Sequence, residues 1–362
     1  MLTTAKKSLY IIGNGFDLAH GLKTSYNDFM FDYLKQALLD CSRRKPYNDE
    51  LINLAQTHLY RLDAKDLITR YSNLNKLLGD ISYQGIRLNF HSKFMELIIN
   101  QCQITNWVDI ENLYFTEIKR LSKIETQNEY LEGLKELNAC LTALRNKLID
   151  YLYRINSAIE IDFSSDQAEK FLDIFNKDYT GVTKQVEIID DLVLNFNYTD
   201  TVSQYIRRLG RWNIKEIKIH GSLHRKDSII FGYGDEMDDI IHDLEKKNDN
   251  LFFEHLKSFG YLKTSDYQKA MSFLDKPKNS INVYILGHSL GLSDRILLNQ
   301  IFEHESISKI EIYYYKDENG KNDFVNKTFE ISRHFKQKSL MRKIICPFSD
   351  SESIPQKNYS RP

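Results

Sequence analysis

The sequence is poor in cysteine, and its cysteines are not placed where they would form a common framework. The four cysteines are Cys41, Cys102, Cys140 and Cys346. They lie far apart and form no Cys-x-x-Cys pair, which argues against a zinc knuckle and against a disulfide-stapled secreted domain. Such spacing is typical of a protein in a reducing cytoplasm. The chain also lacks a long apolar run, so we expect neither a membrane span nor a signal peptide.

An excess of charge of one sign is also absent. The 49 Lys and Arg residues nearly balance the 50 Asp and Glu residues, and the formal net charge is −1. This balance predicts no general attraction to nucleic acid or to anionic lipid. The short basic clusters at 43–45 (Arg-Arg-Lys) and 207–208 (Arg-Arg) indicate a solvated surface rather than a nucleic-acid-acting toxin. With 362 residues and 42% hydrophobic content, the chain can bury a sizeable core.

Proline is absent between Pro46 and Pro277, and much of this stretch has a helical period. The clearest example is the segment 130–155, where apolar residues recur three and four positions apart between polar ones. We expect one long amphipathic helix there, with its apolar stripe facing a core. A coiled-coil partner would explain the same stripe less simply.

Short apolar runs predict the strands of a sheet. They are LYIIG (9–13), LVLNFN (192–197), IKEIKIHG (214–221), VYILG (283–287) and KIEIYYY (309–315). Helical patterns follow three of them, at 25–39, 200–209 and 294–304. Strands that end in Gly, Asn or His and lead into helices are typical of an α/β fold with a parallel sheet flanked by helices.

The predicted strands are divided between the two ends of the chain. One lies near the start and the others follow residue 185, so we expect a discontinuous α/β domain formed by 1–45 and 186–345. Residues 46–185 would form a large all-helical insertion. Residues 346–362 would form a loosely ordered C-terminal tail.

Four loops at predicted strand ends have unusual compositions, and the first is Gly-Asn-Gly-Phe-Asp at 13–17. Glycines after a first strand let backbone N–H groups approach a phosphate, and the next helix N-terminus favours an anion. The Rossmann fingerprint requires a glycine where this chain has Leu18, and the spacing of a Walker loop is also missed. A tight turn without a ligand explains the loop about equally well. Ser25 and Asp28 predict a capping box for the next helix.

The second and third loops are Asn-Phe-Asn-Tyr-Thr-Asp at 195–200 and Lys-Ile-His-Gly-Ser-Leu-His at 218–224. An asparagine at a strand end can hold a ribose hydroxyl, although an Asx turn is the commoner explanation. His220 is well placed to act as a base near neutral pH, although most single histidines are structural. His224 follows without a third ligand at metal spacing, so we expect no metal site.

The fourth loop, Gly-His-Ser-Leu-Gly at 287–291, matches the Gly-x-Ser-x-Gly nucleophile elbow of serine hydrolases. Asp294 or Asp317 together with His334 would complete a triad for Ser289. An elbow requires its helix to begin at the serine, whereas here the second glycine precedes the helix. A serine hydrolase therefore stays an alternative.

Taken in order, the four loops resemble the motifs of Sir2-like NAD-binding domains. The first motif, written out as GNGFDLAHGLKTSY, and NWVDIE at 106–111 resemble the bacterial abortive infection AbiH family. The resemblance runs from about residue 8 to about residue 315. It implies a Rossmann-like (Sir2-like) core and a role in bacterial defence against bacteriophage, in which an infected cell arrests or dies before phage is released.

The resemblance also implies NAD as substrate or ligand, with no metal. Its base, which takes a proton from a ribose hydroxyl, would be His220, and Asn197 would lie beside the nicotinamide ribose. The diphosphate and the adenosine half would contact the two glycine-containing loops. The binding residues that it implies are Gly13, Asn14, Gly15, Asp17, Gly287 and Ser289.

The chain departs from sirtuins in ways that affect the activity. Thr199 stands where their Asp follows the asparagine, and their zinc-binding module is absent, which favours NAD hydrolysis over protein deacetylation. Trp107, Asp109 and Glu111 are candidates to close the pocket from the insertion, although an acidic first turn of a helix explains the two acids equally well. The alternative from another class is a nucleotide-binding sensor or interaction module without catalysis. The resemblance leaves room for a phage-derived trigger or partner protein and for a homo-oligomer.

Overall fold

A five-stranded parallel sheet forms the centre of the molecule. The structure, a computed structural model, describes residues 7–42, 46–56, 70–83, 85–105, 109–179, 190–234, 240–275 and 280–357. In chain order its strands are β1 (Lys7–Ile12), β2 (Tyr47–Asn48), β3 (Ile52–Gln56), β4 (Ile86–Phe90), β5 (Asp191–Asn195), β6 (Ile214–Lys218), β7 (Ile281–Leu286) and β8 (Ile307–Tyr313). The central sheet has the order β6-β5-β1-β7-β8, and every neighbouring pair is parallel.

The strands of the central sheet are covered on both faces. On β1, Leu9 and Ile11 belong to one apolar cluster, and Tyr10 and Ile12 belong to another on the opposite face. All six residues of this strand are buried. A strand covered on both faces reads as a continuous apolar run instead of an alternation of apolar and polar residues.

Helices form most of the rest. They are α1 (Asn14–Ala19), α2 (Tyr26–Ser42), α3 (Leu74–Tyr83), α4 (Lys93–Thr105), α5 (Ile110–Ser122), α6 (Gln127–Asn156), α7 (Asp166–Asn176), α8 (Thr201–Leu209), α9 (Ile240–Lys246), α10 (Lys257–Tyr261), α11 (Asp266–Leu274), α12 (Arg295–Phe302), α13 (Phe324–Ser332) and α14 (Lys338–Ile344). Short 3₁₀ helices occupy Lys226–Ser228, Asn250–Phe252, Leu292–Asp294 and Phe348–Asp350. Within the described ranges, no helix combines the length and apolarity that a membrane crossing requires.

The predicted fold class is confirmed. All five predicted strands belong to the central sheet, and the helices expected at 25–39, 200–209 and 294–304 correspond to α2, α8 and α12 within a few residues. The long amphipathic helix is α6. The capping box is also present, because the Asp28 backbone N–H donates to Ser25 Oγ at 3.1 Å and the Ser25 backbone N–H donates to Asp28 Oδ2 at 3.3 Å.

The insertion is not all-helical, and this part of the prediction was wrong. Strands β2, β3 and β4 form a separate three-stranded antiparallel sheet between α2 and α4. On β4, the buried or partly buried Ile86, Leu88 and Phe90 alternate with exposed Arg87 and Asn89. That alternation is the period of a strand with one covered face, and it covers only five residues within a region of helical period.

The largest apolar cluster lies outside the central sheet and crosses the predicted domain boundaries. It combines the helices of the insertion, including Leu141 of α6, with Phe231, Leu244 and Phe252 from the connection between β6 and β7. By contrast, α7 falls within the range predicted for the insertion but packs through Phe171 against the central sheet. The packing units of the structure therefore do not coincide with the sequence ranges predicted for the two domains.

The C-terminal segment up to residue 357 is docked, which corrects the expectation of a loose tail. The Cys346 N–H donates to the Ile310 carbonyl of β8 at 2.8 Å, and the Ile354 N–H donates to the Tyr314 carbonyl at 2.8 Å. Ile354 is buried. These contacts place the segment along β8.

The cluster around α6 predicts a large effect of cavity formation. Leu141 is fully buried, so Leu141→Ala should lower the free energy of unfolding by about 2–5 kcal/mol. The matched control is Leu262→Ala, because Leu262 is 69% exposed and its truncation leaves no cavity. Urea unfolding of both variants measures the difference, and equal losses would contradict the assignment of Leu141 to a core.

Candidate functional site

Four loops meet at the carboxyl ends of the central strands. Residues 13–17 follow β1, 196–200 follow β5, 219–221 follow β6 and 287–291 follow β7. The strand order reverses at β1, so the loops after β1 and β7 turn toward opposite faces and open a crevice, where ligands bind in open α/β sheets. A cavity of about 470 Å³ lies there, and all four loops contribute to its wall.

Three glycines allow the loops after β1 and β7 to cross in direct backbone contact. The Gly15 N–H donates to the Gly287 carbonyl at 2.7 Å, and the Gly13 N–H donates to the Leu286 carbonyl at 3.1 Å. A Cβ on Gly287 would lie 2.1 Å from the Phe16 backbone nitrogen, and the φ of Gly287 is +71°. Loop packing therefore requires glycine at the crossing, whether or not a ligand is bound.

Asp17 and Asn197 form one side of the cavity. Thr199 Oγ1 donates to Asp17 Oδ2 at 2.6 Å, while Asp17 Oδ1 is buried without a hydrogen-bond partner among the described residues. Burial raises the pKa of Asp17 to about 6, against the effect of the Thr199 hydrogen bond. Asn197 Nδ2 donates to the Gly13 carbonyl at 3.0 Å and ties the loop after β5 to the loop after β1. Asp17 thus contributes a buried carboxylate behind the cavity wall, held by Thr199.

On the other side, His220 belongs to a set of buried charged groups. His220 Nε2 lies 3.0 Å from Asp294 Oδ1, and Lys257 Nζ donates to the same oxygen at 2.9 Å. Lys257 also donates to Glu111 Oε2 at 2.9 Å, and the Gly232 N–H donates to the other oxygen of Glu111 at 3.1 Å. These contacts join the end of β6, the loop after β7, the start of α10 and helix α5 of the insertion.

The charges of this set are fixed by burial and by mutual contact. Burial and the charge of Lys257 lower the pKa of His220, so its imidazole is neutral near pH 7. Burial alone would raise the pKa of Asp294, but Lys257 and His220 hold it well below its usual range. Burial raises the pKa of Glu111 in spite of Lys257. At neutral pH, Asp294 is therefore the firm counter-charge of Lys257. The contact of His220 with Asp294 lacks the alignment of a hydrogen bond, so Asp294 acts on the ring mainly through its charge.

The Gly-x-Ser-x-Gly motif does not have the geometry of a nucleophile elbow. An elbow places its serine on the strained turn, whereas here Leu290 has the left-handed backbone, with φ of +61°. His334 Nε2 contacts the Leu290 carbonyl at 2.8 Å. Asp317 Oδ1 accepts backbone N–H groups of its own loop, and Asp294 is engaged by Lys257.

The cavity brings together all the residues that the resemblance predicted to bind or cleave NAD. Those in its wall are Gly13, Asn14, Gly15, Asp17, Asn197, His220, Gly287 and Ser289. Asp109 and Glu111 of the insertion also line it, while Trp107 and the basic cluster at 43–45 lie outside the described residues. His224 is not among the lining residues, and its exposed ring contacts Asp200 at 2.7 Å.

Sequence reasoning missed Lys257 and Lys327, and it considered Asp294 only for a hydrolase triad. The one sequence signal for Lys257 is its position among apolar residues. This signal is weak, because the aliphatic part of a lysine side chain often covers apolar surface while its charge stays in solvent. Lys327 on α13 belongs to no motif. Within the ranges that the structure describes, no group of three or more His, Cys, Asp or Glu residues could hold a metal ion.

The loop crossing predicts a severe effect of one added methyl group. Gly287→Ala should destabilise the protein by more than the roughly 1–3 kcal/mol of a left-handed backbone alone, because the Cβ also collides with the Phe16 nitrogen. Gly79→Ala is the control, since a Cβ added at that helical position would have no neighbouring atom within 4 Å. This substitution should raise the free energy of unfolding by roughly 0.5–1 kcal/mol. Denaturant unfolding measures both, and a tolerated Gly287→Ala would disprove the crossing.

Comparison with known proteins agrees with the motifs that form this site. The family model described as bacteriophage abortive infection AbiH matches residues 9–316, a span that includes all four loops. A search of curated proteins finds no match to the chain. The match covers well over half of the sequence, and the chain therefore belongs to the bacteriophage abortive infection AbiH family.

Proposed function

We propose that this protein is an abortive-infection effector that hydrolyses the bond between nicotinamide and ribose in NAD. Membership of the AbiH family supports the role in phage defence. The enzymatic proposal rests on one observation, the presence of His220, Asn197 and Asp17 in the wall of a single cavity at the reversal of strand order. Dinucleotides bind at such points in parallel sheets.

The size and lining of the cavity are compatible with this substrate. Its volume of about 470 Å³ lies within the roughly 300–1,000 Å³ of small-molecule and cofactor sites. Phe196, Leu148 and Leu152 supply apolar wall, and Asn197 and Asp17 supply polar atoms. Such a mixture holds flat rings and orients hydroxyl groups.

The reaction requires orientation and charge stabilisation more than a strong nucleophile. The bond between the ribose carbon and the nicotinamide nitrogen breaks, and nicotinamide leaves as a neutral molecule with the electron pair. Water then adds to the ribose carbon and releases a proton. Positive charge develops on the ribose in the transition state, so preorganised polar groups around it lower the barrier.

His220 would act as the base in this reaction, and Asp294 would position and assist it. A neutral imidazole can accept a proton from a ribose hydroxyl or from the attacking water. The Asp294 carboxylate, 3.0 Å from Nε2, then stabilises the imidazolium that forms. Asn197 would lie beside the nicotinamide ribose.

The first test is the release of nicotinamide from NAD by the purified protein. His220→Ala should reduce the rate by about 10²–10⁴-fold, the usual contribution of a general base. His224→Ala is the matched control, because the His224 ring is exposed and pairs with Asp200 away from the cavity wall, and it should keep near-normal activity. NAD levels in expressing cells, with and without phage, provide the cellular measurement. Equal release by His220→Ala and wild type would refute the assignment of the base.

A second test uses the pH dependence of the same reaction. The wild-type rate should fall as the pH drops through the pKa of His220, which burial places below its ordinary value of about 6.5. Because the Asp294 charge raises that pKa, Asp294→Asn should move this acid limb to lower pH as well as reduce the plateau rate. Profiles of kcat/KM between pH 4 and 8 measure the shift. Asp317→Asn, in an exposed loop, is the control, and an acid limb unchanged in Asp294→Asn would contradict the role of Asp294.

A nucleotide sensor without catalysis is the second candidate. The ion contacts from Asp294 through Lys257 to Glu111 favour it, because a ligand beside Asp294 would be sensed in helix α5 of the insertion. A sensor would keep both its NAD affinity and its protection against phage in His220→Ala. An NAD-cleaving effector would lose protection in that variant.

A further inference from the structure

The charges around the cavity are distributed unevenly. Its acidic lining residues are Asp17, Asp109, Glu111 and Asp294. Among the described lining residues, Lys327 is the only lysine or arginine. NAD carries an anionic diphosphate and a cationic nicotinamide ring, and in a partly desolvated cavity each would be repelled by like charge. The positions of the charges therefore restrict the direction in which such a ligand can lie.

We propose that Lys327 binds the diphosphate of the dinucleotide and thereby sets its direction in the cavity. This inference rests on the proposed function, because it takes the ligand to be NAD or its product. Lys327 lies on α13, and its Nζ donates to the His288 carbonyl at 2.7 Å. An ammonium has three donors, so this contact leaves capacity for ligand oxygens.

The backbone of the glycine loop is poorly placed to do this alone. The N–H groups of Gly13 and Gly15 already donate to the loop after β7, and the Phe16 N–H donates to the Gly13 carbonyl at 2.9 Å. A glycine loop that binds phosphate normally offers such groups to the ligand. Here a side-chain cation takes over part of that role.

The position of Lys327 also decides which end of the ligand reaches the proposed base. Its Nζ contacts the His288 carbonyl. His288 lies between Gly287 and Ser289, in the loop that is expected to contact the adenosine half. The nicotinamide end would then extend toward His220 and Asp294. At that end the lining holds Asp294 and Glu111, whose charge the buried Lys257 partly offsets, and Lys327 lies at the other loop. Among the described lining residues no other lysine or arginine is present, so this end does not repel the cationic nicotinamide ring or the positive charge that develops on the ribose.

Lys327 is not implied by the family match. The matched residues end at 316, and α13 follows β8 beyond that point. The residue is identified only by the folding of α13 back over the loop after β7. Its function can therefore be tested separately from the motifs shared with the family.

The test compares two ligands that differ in the diphosphate. Calorimetric titration of the full chain with ADP-ribose and with adenosine would be carried out for wild type, Lys327→Met, Lys327→Arg and Lys321→Met. Lys327→Met should weaken ADP-ribose binding by about ten- to a hundred-fold, because it removes a charged hydrogen bond, and should leave adenosine binding nearly unchanged. Lys327→Arg should restore most of the affinity. Lys321 is exposed and outside the lining, so Lys321→Met should match wild type.

Several outcomes would overturn the proposal. These are unchanged ADP-ribose affinity in Lys327→Met, an equal loss for adenosine that would indicate a structural role, and wild-type protein that does not bind ADP-ribose. Failure of the glycohydrolase proposal gives a different pattern. In that case ADP-ribose binding still depends on Lys327, while NAD stays uncleaved.

Discussion

Burial of a lysine ammonium costs free energy that carboxylates in direct contact with it can offset. The side chain of Lys257 has no exposure to solvent. Asp294 and Glu111 each contact it at 2.9 Å, from the loop after β7 and from helix α5 of the insertion. Loss of either carboxylate would leave a buried charge under-compensated, which typically costs about 3–5 kcal/mol. The insertion, the connection after β6 and the parallel sheet must therefore assemble together. His220 obtains its position and its neutral state from that assembly.

The cavity combines two kinds of constraint. The glycines at its base serve the crossing of two loops, and their backbone donors are largely used there. The remaining polar contacts to a ligand would therefore come from side chains. Acidic groups lie near His220, and Lys327 lies over the loop after β7. This arrangement is the basis of our proposal that the cavity binds a dinucleotide with an anionic centre and a cationic end. It also explains how a chain that misses both standard nucleotide fingerprints can retain a nucleotide-sized cavity at the usual place in the sheet.

Much of the fold could be predicted because strands buried on both faces leave continuous apolar runs, as in Leu9–Ile12 of β1. The site could be predicted for a related reason, since the carboxyl ends of parallel strands share one edge, and loops distant in sequence meet there. The antiparallel sheet of the insertion was missed because its strands are short and only β4 alternates clearly. Lys257 and Lys327 were missed because their meaning depends on tertiary partners. Glu111 lies 146 residues from Lys257, and no local pattern records that contact.

The docked C-terminal segment has a consequence for assembly. An outer strand of a sheet normally presents unpaired backbone groups to which another chain can add a strand. Here Ile345 forms a parallel bridge with Ile310 in the middle of β8, and Ser353 forms one with Tyr314 just beyond the end of that strand. The same chain thus occupies part of the edge that a second copy would need. Self-association by continuing the sheet past β8 would first require this segment to detach, so an oligomer that keeps the fold intact must use a different surface.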